Sequence, residues 1–343
     1  MNVHHKHLGV FCSKLLECKE VQQEDATFVA KTLIDADMRG HHSHGISLLP
    51  RYLEELDSGL LDPHGQIQHT RISPSIISID AGGSLGQIGA RAGVESVIEL
   101  AADSGVGIVC VKNTGHFGAG SYWVELIAKQ NMIGLATSTE PAGTVTPFGG
   151  IEPMVSNNPV AWSAPIADRE PFILDFATGI VADGKIRIAS SEGNLIPTGW
   201  GLNSDGQTEN NPDQVSRILS FGEAKGFGIG IITEILAGLL TADFTSTLVK
   251  DSGHNTGATT GQFFLAISVA KMTNLKMFSK NLDKHLSMLK NSQPAIGSDG
   301  VTIPGQRAAA KRKHAIENGV SLPQSVRKSL EELAKKDSVA TPW

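Results

Sequence analysis

Apolar residues at helical spacing dominate both ends of the chain. A first stripe of this kind consists of Phe28, Val29, Leu33 and Ala36. Because these positions recur at intervals of one helical turn, they predict a helix, and Gly40 suits its end, where glycine tolerates a left-handed backbone. Further helices are predicted over residues 47–56, 304–318 and 323–336. The last residues, 337–343, are expected to fray, as chain ends commonly do.

Short β-branched and apolar runs fill the centre of the chain and predict strands. These runs cover residues 72–79, 107–112, 133–138, 159–165, 172–177 and 262–269. Helices are predicted between them over residues 90–102 and 122–130, with Ser121 as the cap of the second helix. An apolar helix is predicted over residues 224–242, whereas the polar residues 191–215 are expected to form a surface excursion.

The composition limits the class of protein. The chain has 343 residues, of which 40% are hydrophobic and 19% are charged. This length predicts two domains or one large intertwined body, and the apolar content excludes disorder across the whole chain. Because the net charge is −6 and no basic block is present, no nucleic-acid partner is expected. The longest apolar run, residues 226–240, is shorter than the roughly 20 residues that span a membrane, so no membrane partner is expected.

The cysteines and the amino terminus indicate a compartment. Cys12, Cys18 and Cys110 cannot build a disulfide framework, and no Cys-x-x-Cys motif is present for metal or redox chemistry. The three thiols are therefore expected to be reduced and partly buried. The first residues lack the apolar core of a signal peptide. Together these features predict a cytoplasmic location.

A histidine-rich turn stands between the first two predicted helices. The turn, Gly40-His-His-Ser-His-Gly45, places four polar side chains between glycines, so it cannot form part of a core. Three interpretations are open: a ligand site, a solvated loop, or a metal site built from His41, His42 and His44. The metal interpretation lacks the paired spacing of an H-E-x-x-H helix.

Three further side chains could carry chemistry. His116 lies in a glycine-rich loop between a predicted strand and a predicted helix, where it could exchange protons at neutral pH or cap the helix. Asp175 interrupts an apolar strand, so it needs a partner, either a histidine, a ligand hydroxyl or backbone amides. Lys225 precedes the apolar helix and could bind an anion or remain solvated. The Gly-x-Gly-x-x-Gly fingerprint and the Gly-x-Ser-x-Gly elbow are absent from the sequence, which disfavours a Rossmann dinucleotide site and a hydrolase.

Several motifs occur in one order along the chain. They are Asp37-Met-Arg-Gly-His-His-Ser-His-Gly45, Leu49-Pro-Arg-Tyr52, Gly115-His-Phe-Gly118, Pro147-Phe-Gly-Gly150, Asn158-Pro159, Asp175-Phe-Ala-Thr178, Gly184-Lys185, Ile196-Pro-Thr-Gly-Trp200, Lys225-Gly-Phe-Gly228 and Pro304-Gly305. In this order they resemble the malate/L-lactate dehydrogenase family, which also contains L-sulfolactate dehydrogenase, ureidoglycolate dehydrogenase, 2,3-diketogulonate reductase and Δ1-piperideine-2-carboxylate reductase. The resemblance extends from about residue 10 to residue 335.

The resemblance implies a fold and an activity. The expected fold is α+β and L-sulfolactate dehydrogenase-like, with a mixed, mainly antiparallel sheet, helices and intertwined domains, and it is not a Rossmann fold. A helix-rich catalytic and dimerisation domain would comprise residues 1–120 and 255–343, and a strand-rich cofactor-binding domain would comprise residues 121–254. The implied activity is NAD- or NADP-dependent interconversion of a small 2-hydroxy acid and its 2-oxo acid, or reduction of a cyclic 2-imino acid, in a homodimer.

The resemblance also implies roles for individual residues. His116 and His44 are both candidates for the proton donor, with Asp175 as the carboxylate that pairs with a histidine. Substrate contacts are implied for Ser43, Arg51 and Thr139. Cofactor contacts are implied for His44, Gly118, Asp175, Phe176, Ala177, Thr178, Lys225, Gly226, Pro304 and Gly305. No metal ligand is implied.

This chain departs from the family at several positions. Many relatives carry an arginine that grips the substrate carboxylate where this chain has Leu48, and a leucine cannot replace that planar clamp. Glu140 stands where relatives often have small polar residues, and Gln306 replaces a common glutamate. Two alternatives therefore remain: a metal-dependent hydrolase or lyase that uses His41, His42, His44 and His116, or a catalytically inactive relative that binds a metabolite.

Overall fold

Helices form the ends of the molecule and strands its centre. The computed structural model describes residues 2–139, 143–242, 245–248 and 260–343. Glu140 and the expected domain boundary between residues 254 and 255 lie outside the described residues. The helices are α1 (His5–Glu17), α2 (Gln23–Met38), α3 (Leu49–Asp57), α4 (Gly86–Ser104), α5 (Gly120–Lys129), α6 (Asp183–Glu192), α7 (Ala224–Thr233), α8 (Leu240–Ala242), α9 (Val269–Met272), α10 (Leu275–Lys290), α11 (Gln306–Asn318) and α12 (Gln324–Lys336).

Twelve strands accompany these helices in the described part of the chain. They are β1 (Asn2–Val3), β2 (Gln68–Ser73), β3 (Ile76–Ser84), β4 (Val106–Thr114), β5 (Met132–Ser138), β6 (Pro159–Ala164), β7 (Phe172–Ala177), β8 (Gly201–Leu202), β9 (Thr208–Glu209), β10 (Arg217–Ile218), β11 (Thr260–Ser268) and β12 (Val320–Ser321). The predicted strands and helices are thus present, with ends that shift by a few residues, except that the run at residues 72–79 spans the turn between β2 and β3. The polar stretch at 191–215 contains the short strands β8 and β9.

One seven-stranded sheet organises the centre. Its strand order is β2-β3-β4-β11-β5-β6-β7. Only β3 and β4 run parallel, and the other neighbours in this sheet are antiparallel. The α+β fold with a mixed, mainly antiparallel sheet is therefore confirmed. The sheet takes strands from both expected domains, and the division into those domains stays a prediction.

Glycines let helix α4 lie close against this sheet. A β-carbon at Gly93 would lie 2.6 Å from the ring of Phe264 in the central strand β11. A β-carbon at Gly89 would lie 2.7 Å from the Thr114 hydroxyl at the end of β4. Because both distances are shorter than van der Waals contact, larger residues would push the helix away. The close packing fixes the end of β4, from which the His116 loop departs.

A second core lies among the terminal helices. Leucines of α1, α2 and α3 are buried there together with Leu330 of α12. The expectation that the last residues fray is wrong: the ring of Trp343 lies 5.5 Å from that of Phe11, edge to face, and its indole nitrogen donates to Glu331. Burial of a large aromatic surface stabilises the docked end of the chain.

A buried ion network joins three helices beside the sheet. The Arg39 guanidinium at the end of α2 donates to Asp35 at 2.5 Å and also to Glu125 of α5. Arg312 of α11 lies 2.8 Å from Asp35 and 3.3 Å from Glu125. Lys129 also pairs with Glu125. Because each buried carboxylate has more than one cationic partner, the desolvation cost of the charges is offset.

The apolar helix predicted over residues 224–242 is present but interrupted. Residues Glu234–Leu239 form a π-helix between α7 and α8. Glu234 is buried, and the hydroxyl of Ser246 donates to its carboxylate at 2.5 Å. On the outer surface this segment exposes large apolar side chains, namely Ile231, Ile232, Ile235, Leu239 and Leu240. Among the described residues, no helix combines the length and apolar character that crossing a bilayer requires.

The ion network predicts a pH dependence of stability. Burial by itself raises the pKa of Glu125, but the neighbouring Arg39, Lys129 and Arg312 outweigh it, so the pKa lies below its ordinary value. A depressed folded-state pKa stabilises the protein above the unfolded-state value, and this contribution is lost as the pH falls through the folded-state pKa. We expect Glu125→Gln to lower the free energy of unfolding at pH 7 by about 3 kcal/mol.

Urea unfolding between pH 7 and pH 3 checks this prediction. The difference between wild type and Glu125→Gln should shrink below about pH 4.5, the ordinary glutamate value. Glu99→Gln, at an exposed position of α4, is the control and should change little at any pH. A difference for Glu125→Gln that stays constant down to pH 3 would contradict the expectation.

Candidate active site

A cleft of about 750 Å³ lies where the histidine-rich turn approaches the edge of the sheet. It is bounded by residues 40–44, by the loop residues 118–120, by the end of β7 at residues 174–177 and by residues 179–182 with 184 and 185. The size falls in the range of small-molecule and cofactor sites. Of the three interpretations of the histidine-rich turn, this position supports the ligand site.

Asp37 of helix α2 holds the histidine-rich turn in place. Its carboxylate lies 2.8 Å from Nδ1 of His42 and accepts a hydrogen bond of 2.7 Å from the backbone amide of Ile46. Gly45 faces this carboxylate so closely that any β-carbon there would overlap with it. The glycine of the Ser-His-Gly motif is therefore needed for the approach of a buried carboxylate.

His116 is positioned by its backbone and by a tyrosine. Gly86, the first residue of α4, packs against the carbonyl groups of Gly115 and His116, and a side chain at residue 86 would overlap with them. The hydroxyl of Tyr52, which is buried in α3, shares a hydrogen bond of 2.7 Å with Nδ1 of His116. Tyr52 ends the motif Leu49-Pro-Arg-Tyr52, but its role at His116 was not predicted from the sequence.

The two candidate histidines lie next to each other. The ring centroids of His44 and His116 are 5.6 Å apart. His44 lines the cleft, and its Nδ1 lies 3.0 Å from the Ser43 hydroxyl. His116 is half-buried and is not among the residues that line the cleft, but it adjoins His44. The structure therefore brings both candidate proton donors to one place, although they are far apart in sequence.

Asp175 serves two purposes. Its carboxylate lines the cleft, and it also accepts a hydrogen bond of 2.7 Å from the backbone amide of Ser121 at the start of α5. The expectation that the Ser121 side chain caps this helix is wrong. The cap residue is Ala119, which offers no side-chain acceptor. The Asp175 carboxylate of β7 accepts the hydrogen bond instead, and its negative charge suits the positive end of the helix.

His41 is a further histidine of the cleft, for which the sequence predicted no role of its own beyond the histidine-rich turn and the alternative metal site. Burial lowers its pKa, Arg39 and Lys311 add to the lowering, and Asp175 and Asp35 oppose it. Among the acids, Asp175 acts most strongly on the pKa of His41, and both residues line the cleft. Only the fold could reveal this, because their positions are 134 residues apart, from 41 to 175.

The expected cofactor residues fall into two groups. Gly118, Asp175, Phe176 and Ala177 line the cleft together with His44. Thr178 is buried behind the cleft wall, with its amide bonded to the Asn158 carbonyl. Lys225 is exposed, and Gly226 packs against the Phe221 carbonyl. Pro304 and Gly305 precede α11, and Gly305, the cap residue of this helix, packs on Ile173.

The expected substrate residues are also divided. Ser43 lines the cleft. Arg51 is half-exposed and pairs with Glu55 at 2.7 Å, one turn along α3. Thr139 is buried, and its amide donates to Gly261 at 3.0 Å. Leu48 packs against the terminal helical core. Of these positions, only Ser43 is a wall of the cleft itself.

The cleft offers a cradle for a flat, extended ligand. Gly118, Gly120, Gly179 and Gly184 all line it, so its walls include backbone without side chains. Gly118 has a φ of +80°, which favours glycine. A cofactor with stacked and charged parts fits such walls. In residues 2–139, 143–242, 245–248 and 260–343, no three His, Cys, Asp or Glu side chains converge as metal ligands.

Comparison with known proteins agrees with this geometry. The family model described as malate/L-lactate dehydrogenase matches residues 3–331. The chain is 32% identical to malate dehydrogenase of Pyrococcus horikoshii over 340 residues, which covers 96% of this chain and 93% of that protein. It is 30% identical over 306 residues to the Δ1-pyrroline-2-carboxylate/Δ1-piperideine-2-carboxylate reductase of Pseudomonas aeruginosa, covering 88% of this chain and 90% of that protein.

A solved structure has the same fold. Sulfolactate dehydrogenase from Methanocaldococcus jannaschii superposes with a TM-score of 0.90 at 31% sequence identity. The match covers 99% of this chain and 98% of the other. The sulfolactate dehydrogenase-like fold implied by the sequence motifs is therefore confirmed.

Proposed function

The chain belongs to the malate/L-lactate dehydrogenase family, and from this premise we propose how its cleft performs the chemistry of that family. It is a nicotinamide-dependent oxidoreductase that acts on a small 2-hydroxy or 2-oxo acid or on a cyclic 2-imino acid. The observation that carries the proposal is the pair of adjacent imidazoles, His44 and His116, beside a cleft large enough for a dinucleotide. The alternative of a metal-dependent hydrolase or lyase has no converging donor set in the described residues.

We propose that the cleft binds the cofactor through its glycine walls and the end of β7. Phe176 and Ala177 of β7 would contact its flat rings, and Gly118 would let it approach the backbone. The bound nicotinamide would supply or accept a hydride at the substrate carbon. The choice between NAD and NADP depends on side chains at the ribose of the cofactor. We propose either one as the cofactor, and the substrate panel below is run with both.

His116 is proposed as the proton donor for reduction. As negative charge develops on the substrate oxygen, the imidazolium would give a proton from Nε2, because Nδ1 is engaged by Tyr52. The buried Tyr52 hydroxyl would accept from Nδ1 and keep the ring in one orientation. In the oxidation direction, the neutral imidazole would take the proton back.

His44 is the second candidate for this step. It lines the cleft, and the Ser43 hydroxyl 3.0 Å from its Nδ1 would orient it as Tyr52 orients His116. Asp175 would favour positive charge in the cleft as the partner of a histidine. Tyr52, the partner of His116, is buried, whereas Ser43, the partner of His44, is only half-buried. This difference favours His116 as the rigidly held donor.

A substrate panel tests the proposed function. We expect NADH or NADPH to raise the melting temperature, because a ligand that binds only the folded state stabilises it. Absorbance at the nicotinamide band should then fall with one or more 2-oxo or cyclic 2-imino acids, each run with both cofactors. Binding without turnover on any acid would indicate the inactive relative, and no thermal shift with either cofactor at millimolar concentration would refute the proposal.

Variants of the histidines test the proton donor. We expect His116→Ala to lower kcat by about 10²–10⁴-fold, because a placed proton donor contributes that much, with little change in NAD(P)H binding. Tyr52→Phe should lower kcat less and shift the pH profile, since the imidazole loses the partner of Nδ1. His44→Ala is the comparison. A fully active His116→Ala together with an inactive His44→Ala would transfer the role to His44.

We also propose a homodimer that buries the apolar surface of α7, the π-helix and α8. This surface exposes Ile232 by 54% and Leu240 by 60%. Its charged residues are Glu234, which is buried, and Lys225, which is exposed at the start of α7. Large, mostly apolar surfaces are typical of obligate interfaces between copies of one chain. The partner in this proposal is therefore a second copy.

Light scattering after gel filtration checks the dimer. Wild type should have twice the mass of the 36.3 kDa chain, and Ile232→Glu should reduce it towards one chain. Ile296→Glu is the control, since Ile296 is fully exposed in a different part of the structure. A wild-type mass of one chain would contradict the proposal.

The proposed location is the cytoplasm. Cys12, Cys18 and Cys110 are all free, although Cys18 is exposed rather than partly buried as expected. Free thiols are typical of a reducing compartment. Cell fractionation would test this, and recovery of the protein outside the cytoplasm would contradict it.

A further inference from the structure

The charges along the cleft are unevenly distributed. Three histidines and Asp175 line it, and Lys185 of helix α6 is the only lysine or arginine among its described lining residues. A 2-oxo acid carries a carboxylate, and a dinucleotide carries phosphates. Because an imidazole carries charge only when protonated, this lysine is the one permanent cation among those lining residues that either oxyanion would meet.

Of the other cations near the cleft, the arginines already have carboxylate partners, and the ammonium of Lys311 lies against Gly40 of the cleft wall. Arg39 and Arg312 belong to the buried ion network with Asp35 and Glu125. Arg51 pairs with Glu55 at 2.7 Å. These guanidinium groups already have carboxylate partners, so a new oxyanion would have to compete for them.

A close contact places the helix turn that carries Lys185 against the histidine-rich turn. The preceding residue, Gly184, faces Ser43 so closely that a β-carbon there would lie 3.1 Å from the Ser43 β-carbon. The first turn of α6 is therefore packed against the turn that carries His44. Asp183, the neighbouring acid on this helix, pairs with Arg187 instead of Lys185.

We propose that Lys185 binds an oxyanion in the cleft, either the carboxylate of the substrate or a phosphate of the cofactor. This inference rests on the proposed oxidoreductase function and names the residue that would determine its preference for acids. The exposed ammonium on a flexible stem can reach the anion, whereas the packing of Gly184 on Ser43 keeps the helix turn that carries the lysine against the histidine-rich turn. Lys185 thus acts in binding rather than in proton transfer.

Binding and turnover of four proteins test this inference: wild type, Lys185→Met, Lys185→Arg and the control Arg187→Ala. Arg187 lies on the same helix and is exposed but does not line the cleft. The Kd of NADH and NADPH is measured by nucleotide fluorescence, and kcat and KM by absorbance with the acid that wild type reduces best. Melting temperatures confirm that each variant is folded.

We expect Lys185→Met to weaken either cofactor binding or acid binding by about 10- to 100-fold, the range of a lost charge-assisted hydrogen bond. A rise in KM for the acid with unchanged cofactor Kd assigns the carboxylate, and a rise in cofactor Kd assigns a phosphate. Lys185→Arg should retain most of the affinity, and Arg187→Ala should resemble wild type.

Two results would overturn the inference in different ways. If wild type binds cofactor and turns over an acid while Lys185→Met does both equally well, the role of Lys185 is refuted and the proposed function stands. If wild type binds neither NADH nor NADPH, the proposed function fails and the inference fails with it.

Discussion

The buried ion network of Asp35, Arg39, Glu125 and Arg312 is the constraint on which the site depends. It joins α2, which leads into the histidine-rich turn, to α5, which follows the His116 loop, and to α11, whose cap residue Gly305 packs on Ile173 of β7. These three helices are thus tied to one another by charges that cannot move apart without becoming unpaired in a buried place. The relative position of His44, His116 and Asp175 follows from that connection.

Polar side chains and glycines together bring these elements into contact. Asp37 holds the histidine-rich turn and lies against Gly45, which has no β-carbon. Asp175 caps α5 and lies against Gly120, where a β-carbon would lie 3.2 Å from the Asp175 carboxylate. The high glycine content of the chain therefore has a specific use at the site. It allows backbone and carboxylate to approach closely, and the cleft keeps glycine walls along which an extended cofactor could lie.

Much of the fold could be predicted from the sequence because its signals are local. The stripe ending at Gly40 and the run at residues 107–112 gave α2 and β4, since apolar spacing and helix-ending glycines act over a few residues. The strand order could not be predicted, because β11 pairs with both β4 and β5 across more than a hundred residues. The docking of Trp343 on Phe11 and the capping of α5 by Asp175 were missed for the same reason: each partner is distant in sequence.

The sequence by itself determined the family, the elements and the chemical types at the site, through motifs whose residues are adjacent along the chain. Only the tertiary structure decided which of those residues meet. It brought Tyr52 to His116, His41 into the field of Asp175 and Gly184 against Ser43, and it left Arg51 and Thr139 outside the walls of the cleft. The physical reason is that a motif fixes the kind of side chain, whereas packing and buried charge pairs between distant segments fix its position and its partners.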